Sequence, residues 1–347
     1  MAAGVFRVAS PWASPHRSRR SFRRNPVLLA PAQDPQVALI DGLYYYCESN
    51  AAGIFIRASR DFRDLQQSRP QRVWAPPASG WMAHNVWAPE LHLIDGRCHI
   101  YFAADDGRNE NHRMGVLVAA GRDPLGAYTL HGPLETDGWA IDGTPFADAA
   151  GNWYFVWSGW PGAQNGQQNL YLSRMASPTQ LTGSRVLLAE PDQAWERKAL
   201  PLCEGPQVLQ REGRTIIVYS GSGSWTQHYA LGLLVHEGGD LLDRAAWRKT
   251  GPVFQANRHA WGIGHCGFTT APDGRDWILY HCKTSRRDGW IDREVRAQPF
   301  DWNPVSGLPD FGRPGPRHAP LEPVTAPRRR RRTAGHPVLP QPALLAV

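Results

Sequence analysis

Four carboxylic acids and one imidazole recur along the chain at similar intervals: Asp34, Glu90, Asp142, Glu204 and His265. Two carboxyl groups can act as proton donor and proton acceptor together when their surroundings push their acidities apart. Hydrolysis of a glycosidic bond asks for that division, with a protonated acid for the leaving oxygen and an ionised carboxylate for water or for covalent attack. Bland readings exist for each residue. Asp34 before Pro35 could start a turn, and Asp142 before Gly143 could sit in one. Glu204, before Gly205-Pro206, has the weakest such excuse because Glu is not a turn former. Glu90, after Trp87-Ala88-Pro89, reads equally as a strand-holding acceptor and as a substrate contact. His265 could be a base, a metal ligand or a donor filling an axis. No other His or Cys lies at ligand spacing, so a His-based metal centre is not expected. A calcium or other cation held through water beside His265 stays open, and no cofactor is required.

Residues so far apart in sequence need a repeat to bring them together, and one is visible. Five times a Gly follows a short turn residue and opens an aromatic or β-branched strand: Asp41-Gly42, Asp95-Gly96, Ala150-Gly151, Glu212-Gly213 and Asp273-Gly274. The glycines are 54, 55, 62 and 61 residues apart, the length of a four-stranded blade with its loops. The 34 Gly, 30 Pro and 15 Trp against 4 Met also suit short strands and tight turns over helices. The expected fold is all-β, a five-bladed β-propeller. Each ionisable residue precedes its hairpin Gly by six to nine residues, on an inner strand. The five should therefore converge at one end of a central funnel.

Trp81, Trp87, Trp139, Trp160, Trp225 and Trp261 fall in or beside the same segments, and about half should pack between blades. Exposed indole faces suit the C–H faces of sugars, and Trp87 is the one read as a substrate contact. Arg293 could bond a sugar hydroxyl, although a surface ion pair is the commoner fate of such a residue.

The chain carries a formal net charge of +7, but its ends hold it. Residues 1–24 contain six Arg and no acid, and 313–347 contain seven Arg against Glu322. Removing those twelve net positives leaves 25–312 at −5, so a nucleic-acid-binding body is not expected. The expected division is a disordered Arg-rich extension over 1–24, the propeller over 25–312 and a disordered Pro- and Arg-rich tail over 313–347. No apolar stretch of secretory-signal type precedes Asp34, so the cytoplasm is favoured over secretion. No apolar run spans a membrane. The five Cys form no CxxC pair and read as buried thiols. The expected partner is an oligo- or polysaccharide, with no nucleic acid and no membrane.

Asp34-Pro35, His84-Asn85-Val86-Trp87-Ala88-Pro89-Glu90, Ile141-Asp142, Glu204-Gly205-Pro206 and Gly264-His265 together resemble glycoside hydrolase family 43 in order and spacing. The resemblance runs from about Asp34 to Trp302. Ile100–Gly107 and Arg113–Val116 are similar to its exo-acting arabinofuranosidases. It implies an inverting mechanism with Asp34 as general base, Glu204 as general acid, and Asp142 as the carboxylate that raises and orients the acid. It also implies that His265 is an axial histidine near a bound ion. The implied activity is an exo-acting α-L-arabinofuranosidase on arabinan or arabino-oligosaccharides. β-Xylosidase, galactofuranosidase and a non-catalytic carbohydrate-binding propeller stand as alternatives, because loops choose the sugar. Cys98-His99, where an aromatic pair is expected, Cys203 and the Arg-rich ends depart from the family pattern.

Overall fold

A strand that is apolar on both faces must be covered on both. The strand opened by each hairpin Gly is of this kind. In the computed structural model, which describes residues 23–321, these strands lie inside five antiparallel sheets arranged as propeller blades. Blade 1 comprises β1 (Gln36–Ile40), β2 (Leu43–Asn50), β3 (Gly53–Ser59) and β4 (Gln71–Trp74). Blade 2 comprises β5 (His84–Ile94), β6 (Arg97–Asp105), β7 (Arg113–Ala119) and β8 (Tyr128–His131). Blade 3 comprises β9 (Ala140–Ala147), β10 (Trp153–Gly159), β11 (Asn169–Ser177) and β12 (Gln180–Ala189). Blade 4 comprises β13 (Cys203–Arg211), β14 (Arg214–Gly221), β15 (Ala230–His236) and β16 (Trp247–Phe254). Blade 5 has three strands, β17 (Trp261–Thr270), β18 (Asp276–Lys283) and β19 (Arg293–Pro299).

The hydrophobic core is divided into five seams, one between each pair of neighbouring blades, and side-chain alternation assigns residues to them. Tyr44 and Tyr46 of β2 pack toward blade 5 with Trp277 and Leu279, while Tyr45 and Cys47 pack toward blade 2 with Leu91 and Ile100. Phe155 and Trp157 of β10 face blade 2, and Tyr154 and Val156 face blade 4. All five Cys are buried free thiols, three of them on these central strands. The hairpin glycines have φ between 73° and 86°, and Asp41, Asp95 and Glu212 before three of them are also left-handed. Positive φ at both central residues is what a two-residue turn between twisted strands requires.

The ring closes through the segment ahead of β1. Val27 donates to the Val295 carbonyl, Val295 to Leu28 and Ala32 to Arg293, laying residues 27–32 along the open edge of β19. The expected domain limits therefore shift. Arg23 pairs with Asp61 and Asp64, Arg317 with Glu294, and Leu321 is buried beside Val27 and Leu28. Arg23, Arg24 and 313–321 thus belong to the packed body, because the closing edge needs hydrogen-bond partners. The rest of both expected extensions lies outside the described residues. Among the described residues, no helix is long and apolar enough to cross a membrane.

Candidate active site

The backbone kinks at the same level in every blade, within the first strand of blades 2 to 5 and just ahead of β1 in blade 1. Asp34, Ala88, Asp142, Gly205 and His265 all have left-handed φ, between 39° and 56°, eight or nine residues before the hairpin glycine. In blades 2 to 5 the register slips around these residues. Such bulges re-aim side chains, and here they do so at the funnel. They also correct the sequence register. The blade 2 equivalent of Asp34 and Asp142 is Ala88, with Glu90 two positions further on. In blade 4 it is Gly205, with Glu204 one position before.

That offset decides which predicted residues meet. Asp34, Asp142, Glu204, His265, Arg293 and Trp87 all line one cavity of about 530 Å³. Glu90 does not line it. It is buried deeper, accepting a hydrogen bond from Gln207 of blade 4 and lying 3.0 Å from His92 Nε2, so of its two readings the structure favours the strand-holding one. Arg293 is drawn inward, 3.6 Å from Asp34, and not into a surface pair. Of the tryptophans, Trp139 and Trp160 are buried and stacked at 4.6 Å, and Trp139 still contributes to the cavity wall. Trp225 and Trp290 form a second wall. Trp81 lies over Phe102, and Arg286 lies over Trp261.

His265 is the hub of the charges. Its Nδ1 lies 3.4 Å from Asp34 and 3.8 Å from Asp142. Burial alone would lower its pKa, but Asp34, Asp142, Glu90 and Glu204 outweigh burial and raise it. Burial alone would likewise raise the Asp34 carboxyl, yet His265, the His281 ring 3.3 Å away and Arg293 hold it well below the usual carboxylate range. Asp142 is pushed up to about 6, chiefly by burial, despite His265 and a 3.0 Å hydrogen bond from the Gly205 N–H. Glu204 is pushed up to about 8, first by burial and second by Asp142. The like-charge repulsion expected from sequence is present, but desolvation exceeds it. At neutral pH the site thus presents Asp34 ionised and Glu204 protonated.

Among the described residues no three His, Cys, Asp or Glu side chains group to hold a metal ion. His265 Nδ1 faces the carboxylates of Asp34 and Asp142 at 3.4 and 3.8 Å.

Four residues that sequence reading missed complete the site. Tyr229 donates to Glu204 Oε1 at 2.8 Å, and its ring stacks on that of buried His281. Ser220 accepts from the His265 N–H at 2.8 Å. His112 supports Trp87 from beneath, with ring centroids 4.0 Å apart. One signal was available: His281 interrupts the apolar run Trp277-Ile278-Leu279-Tyr280 on a central strand.

The family model for glycosyl hydrolases family 43 matches residues 23–307. The extracellular exo-α-(1→5)-L-arabinofuranosidase of Streptomyces chartreusis is 35% identical over 295 residues, covering 81% of this chain and 88% of that protein. The α-L-arabinofuranosidase 43 of Humicola insolens is 34% identical over 308 residues, covering 84% of this chain. The chain spans 63% of that relative's length and 60% of the length of a Streptomyces avermitilis exo-α-(1→5)-L-arabinofuranosidase. The crystal structure of α-L-arabinofuranosidase from Lactobacillus brevis superposes with a TM-score of 0.80 at 36% identity, covering 85% of this chain and 98% of that one.

Proposed function

The chain belongs to glycosyl hydrolases family 43, and from that premise we propose that it is an inverting, exo-acting α-L-arabinofuranosidase releasing terminal arabinofuranose from arabinan or arabino-oligosaccharides. One observation carries the reading: a single cavity is lined by a carboxyl held protonated, Glu204, and a carboxyl held ionised, Asp34. The names of the similar proteins support the choice of sugar. Glu90 and Gln207 join blades 2 and 4 across the axis, and a funnel tied off in this way suits a chain end.

Glu204 gives its proton to the leaving oxygen as the glycosidic bond breaks. Asp34 takes a proton from the water that attacks the opposite face of the sugar. Asp142 helps keep Glu204 protonated and, through the Gly205 N–H, fixes the turn that carries it. Arg293, with His265 and His281, helps keep Asp34 ionised and lies within reach of a sugar hydroxyl, and Trp87 offers an aromatic wall.

The test is hydrolysis of para-nitrophenyl α-L-arabinofuranoside and the matching β-xyloside by wild type, Glu204→Gln and Asp34→Asn, with the first-formed anomer read by NMR. Arabinoside cleavage with inversion, reduced at least about a hundredfold in both variants, is expected. Cleavage of the xyloside alone would overturn the sugar assignment, and retention of configuration would overturn the roles of the carboxylates.

A further inference from the structure

Glu204 has two carboxyl oxygens, and the hydrogen bonds behind it decide which one carries the proton. The backbone N–H of His265 can only donate, and it donates to the Ser220 hydroxyl oxygen at 2.8 Å. Burial raises the pKa of the Tyr229 hydroxyl and outweighs the Ser220 side chain, which favours the ionised form. The Tyr229 hydroxyl donates to Glu204 Oε1, 2.8 Å away. Ser220 and Tyr229 are both fully buried, so bulk water does not compete for these bonds. The tyrosine ring is held tightly. It lies parallel to His281 at 5.4 Å, and a Cβ on Gly264 would come within 2.2 Å of it.

We propose that Tyr229 is a positioning residue for the acid: by donating to Oε1 it makes that oxygen an acceptor and assigns the transferable proton to Oε2. The inference rests on the reading of Glu204 as general acid. In the step, the Oε2–H bond breaks as the leaving oxygen gains the proton, and the glycosidic C–O electron pair passes to that oxygen. Tyr229 keeps its own proton. Its hydrogen bond strengthens as Glu204 becomes an anion, so the contact favours the transition state over the bound substrate.

The charged and titratable groups facing Glu204 are Asp142 on β9, His265 on β17 and Asp34 ahead of β1. Those facing Tyr229 are Glu204, Asp142 and Asp34, with His281 on β18 against its ring and Arg293 on β19 near that histidine.

Tyr229→Phe removes one oxygen and keeps the ring stack. On aryl α-L-arabinofuranosides, kcat should fall about tenfold or more with phenol as leaving group and less than about twofold with 2,4-dinitrophenol, which departs without a proton. The basic limb of the pH profile should move to higher pH, since a donor to the carboxylate has been removed. An equal loss on both leaving groups with a stationary limb would overturn the proposal, because that is what a purely structural tyrosine gives. If the wild type cleaves no arabinofuranoside, the Glu204 titration still decides, read by isotope-edited infrared spectroscopy against Glu204→Gln. A higher titration point in Tyr229→Phe supports the contact, and an unmoved one overturns it whatever the substrate.

Discussion

The two sides of the funnel hold carboxylates of opposite state, with Asp34 the most exposed of the three. On the blade 3 and 4 side, Glu204 and Asp142 face each other with neutral donors, the Tyr229 hydroxyl and the Gly205 N–H, and both are pushed up. On the blade 5 and 1 side, Asp34 is surrounded by His265, His281 and Arg293 and is pushed down. Burial raises all three, so it cannot make the difference. Neighbouring charge makes it. The propeller contributes by letting blade 5, which carries the imidazoles and the guanidinium, sit against blade 1, which carries only the acid. Two proton-transfer roles therefore follow from which seam a carboxylate borders, and not from its residue type.

The largest effects should come from deleting one member of each side, and stability should then separate them. Glu204→Gln and Asp34→Asn should each abolish most activity on unactivated substrates. For Glu204 the folded pKa lies above the unfolded one, so between about 4.5 and about 8 the unfolded chain binds fewer protons and stability falls as pH rises. Removing that carboxyl should raise Tm at pH 8 relative to wild type and do little at pH 4. For Asp34 the folded pKa is depressed, so its contribution is present above the unfolded value of 3.8 and is lost as pH falls through the folded one. Asp34→Asn should lower Tm at pH 8, leaving His265 and Arg293 without their anion. Thermal unfolding at both pH values checks this, and a Tm change of the same sign in the two variants would break the contrast.

A smaller effect should follow from weakening the cationic side without emptying it. Arg293→Met removes one of the groups that hold Asp34 low, so the acidic limb of kcat/KM should move to higher pH. The basic limb, set by Glu204, should stay in place. A pH profile resolves the two limbs. Movement of both would mean that the two sides titrate as one unit, and the division drawn above would fail.

The sequence carried the repeat because its turns are chemically demanding. Left-handed φ at Gly42, Gly96 and their counterparts restricts the residue type, and the Tyr44-Tyr45-Tyr46-Cys47 kind of strand announces burial on both faces. It carried the three acids less cleanly. Asp34, Ala88, Asp142, Gly205 and His265 are geometric equivalents with little chemistry in common, so an eye searching for ionisable residues takes Glu90 and Glu204 as the partners instead. A bulge has no fixed residue signature, and shifting by one or two positions decides whether a side chain enters the cavity or the floor. Tyr229 and His281 were harder still. Each sits against an apolar run whose pattern reads as core, and only the bulges around Gly264 and Glu204 bring them to the carboxylates. Closure was invisible for a different reason: the segment Arg23–Ala32 has no strand pattern of its own and takes its conformation from the edge of β19.

The smallest effect should come from the wall, which belongs to neither side. Trp87 is 39% exposed, lines the cavity and stacks on His112, whose ring is fully buried. That ring is fixed in turn, with Nδ1 2.8 Å from Asp105 and Nε2 3.2 Å from the Asn85 carbonyl, while the Asn85 amide also bonds Asp105. The indole is therefore a rigid surface that needs no ordering when a sugar arrives. It carries no charge, and its contact with a sugar face changes little as the glycosidic bond lengthens. Binding that is equal in ground and transition state appears in KM and not in kcat. Trp87→Ala should raise KM by about fivefold to tenfold on arabino-oligosaccharides with kcat nearly unchanged, in keeping with the roughly 1 kcal/mol that one aromatic contact contributes. Steady-state kinetics on arabinotriose would measure both. A fall in kcat at constant KM would instead place Trp87 among the groups that act on the bond being broken, and the separation between walls that bind and carboxylates that react would no longer hold.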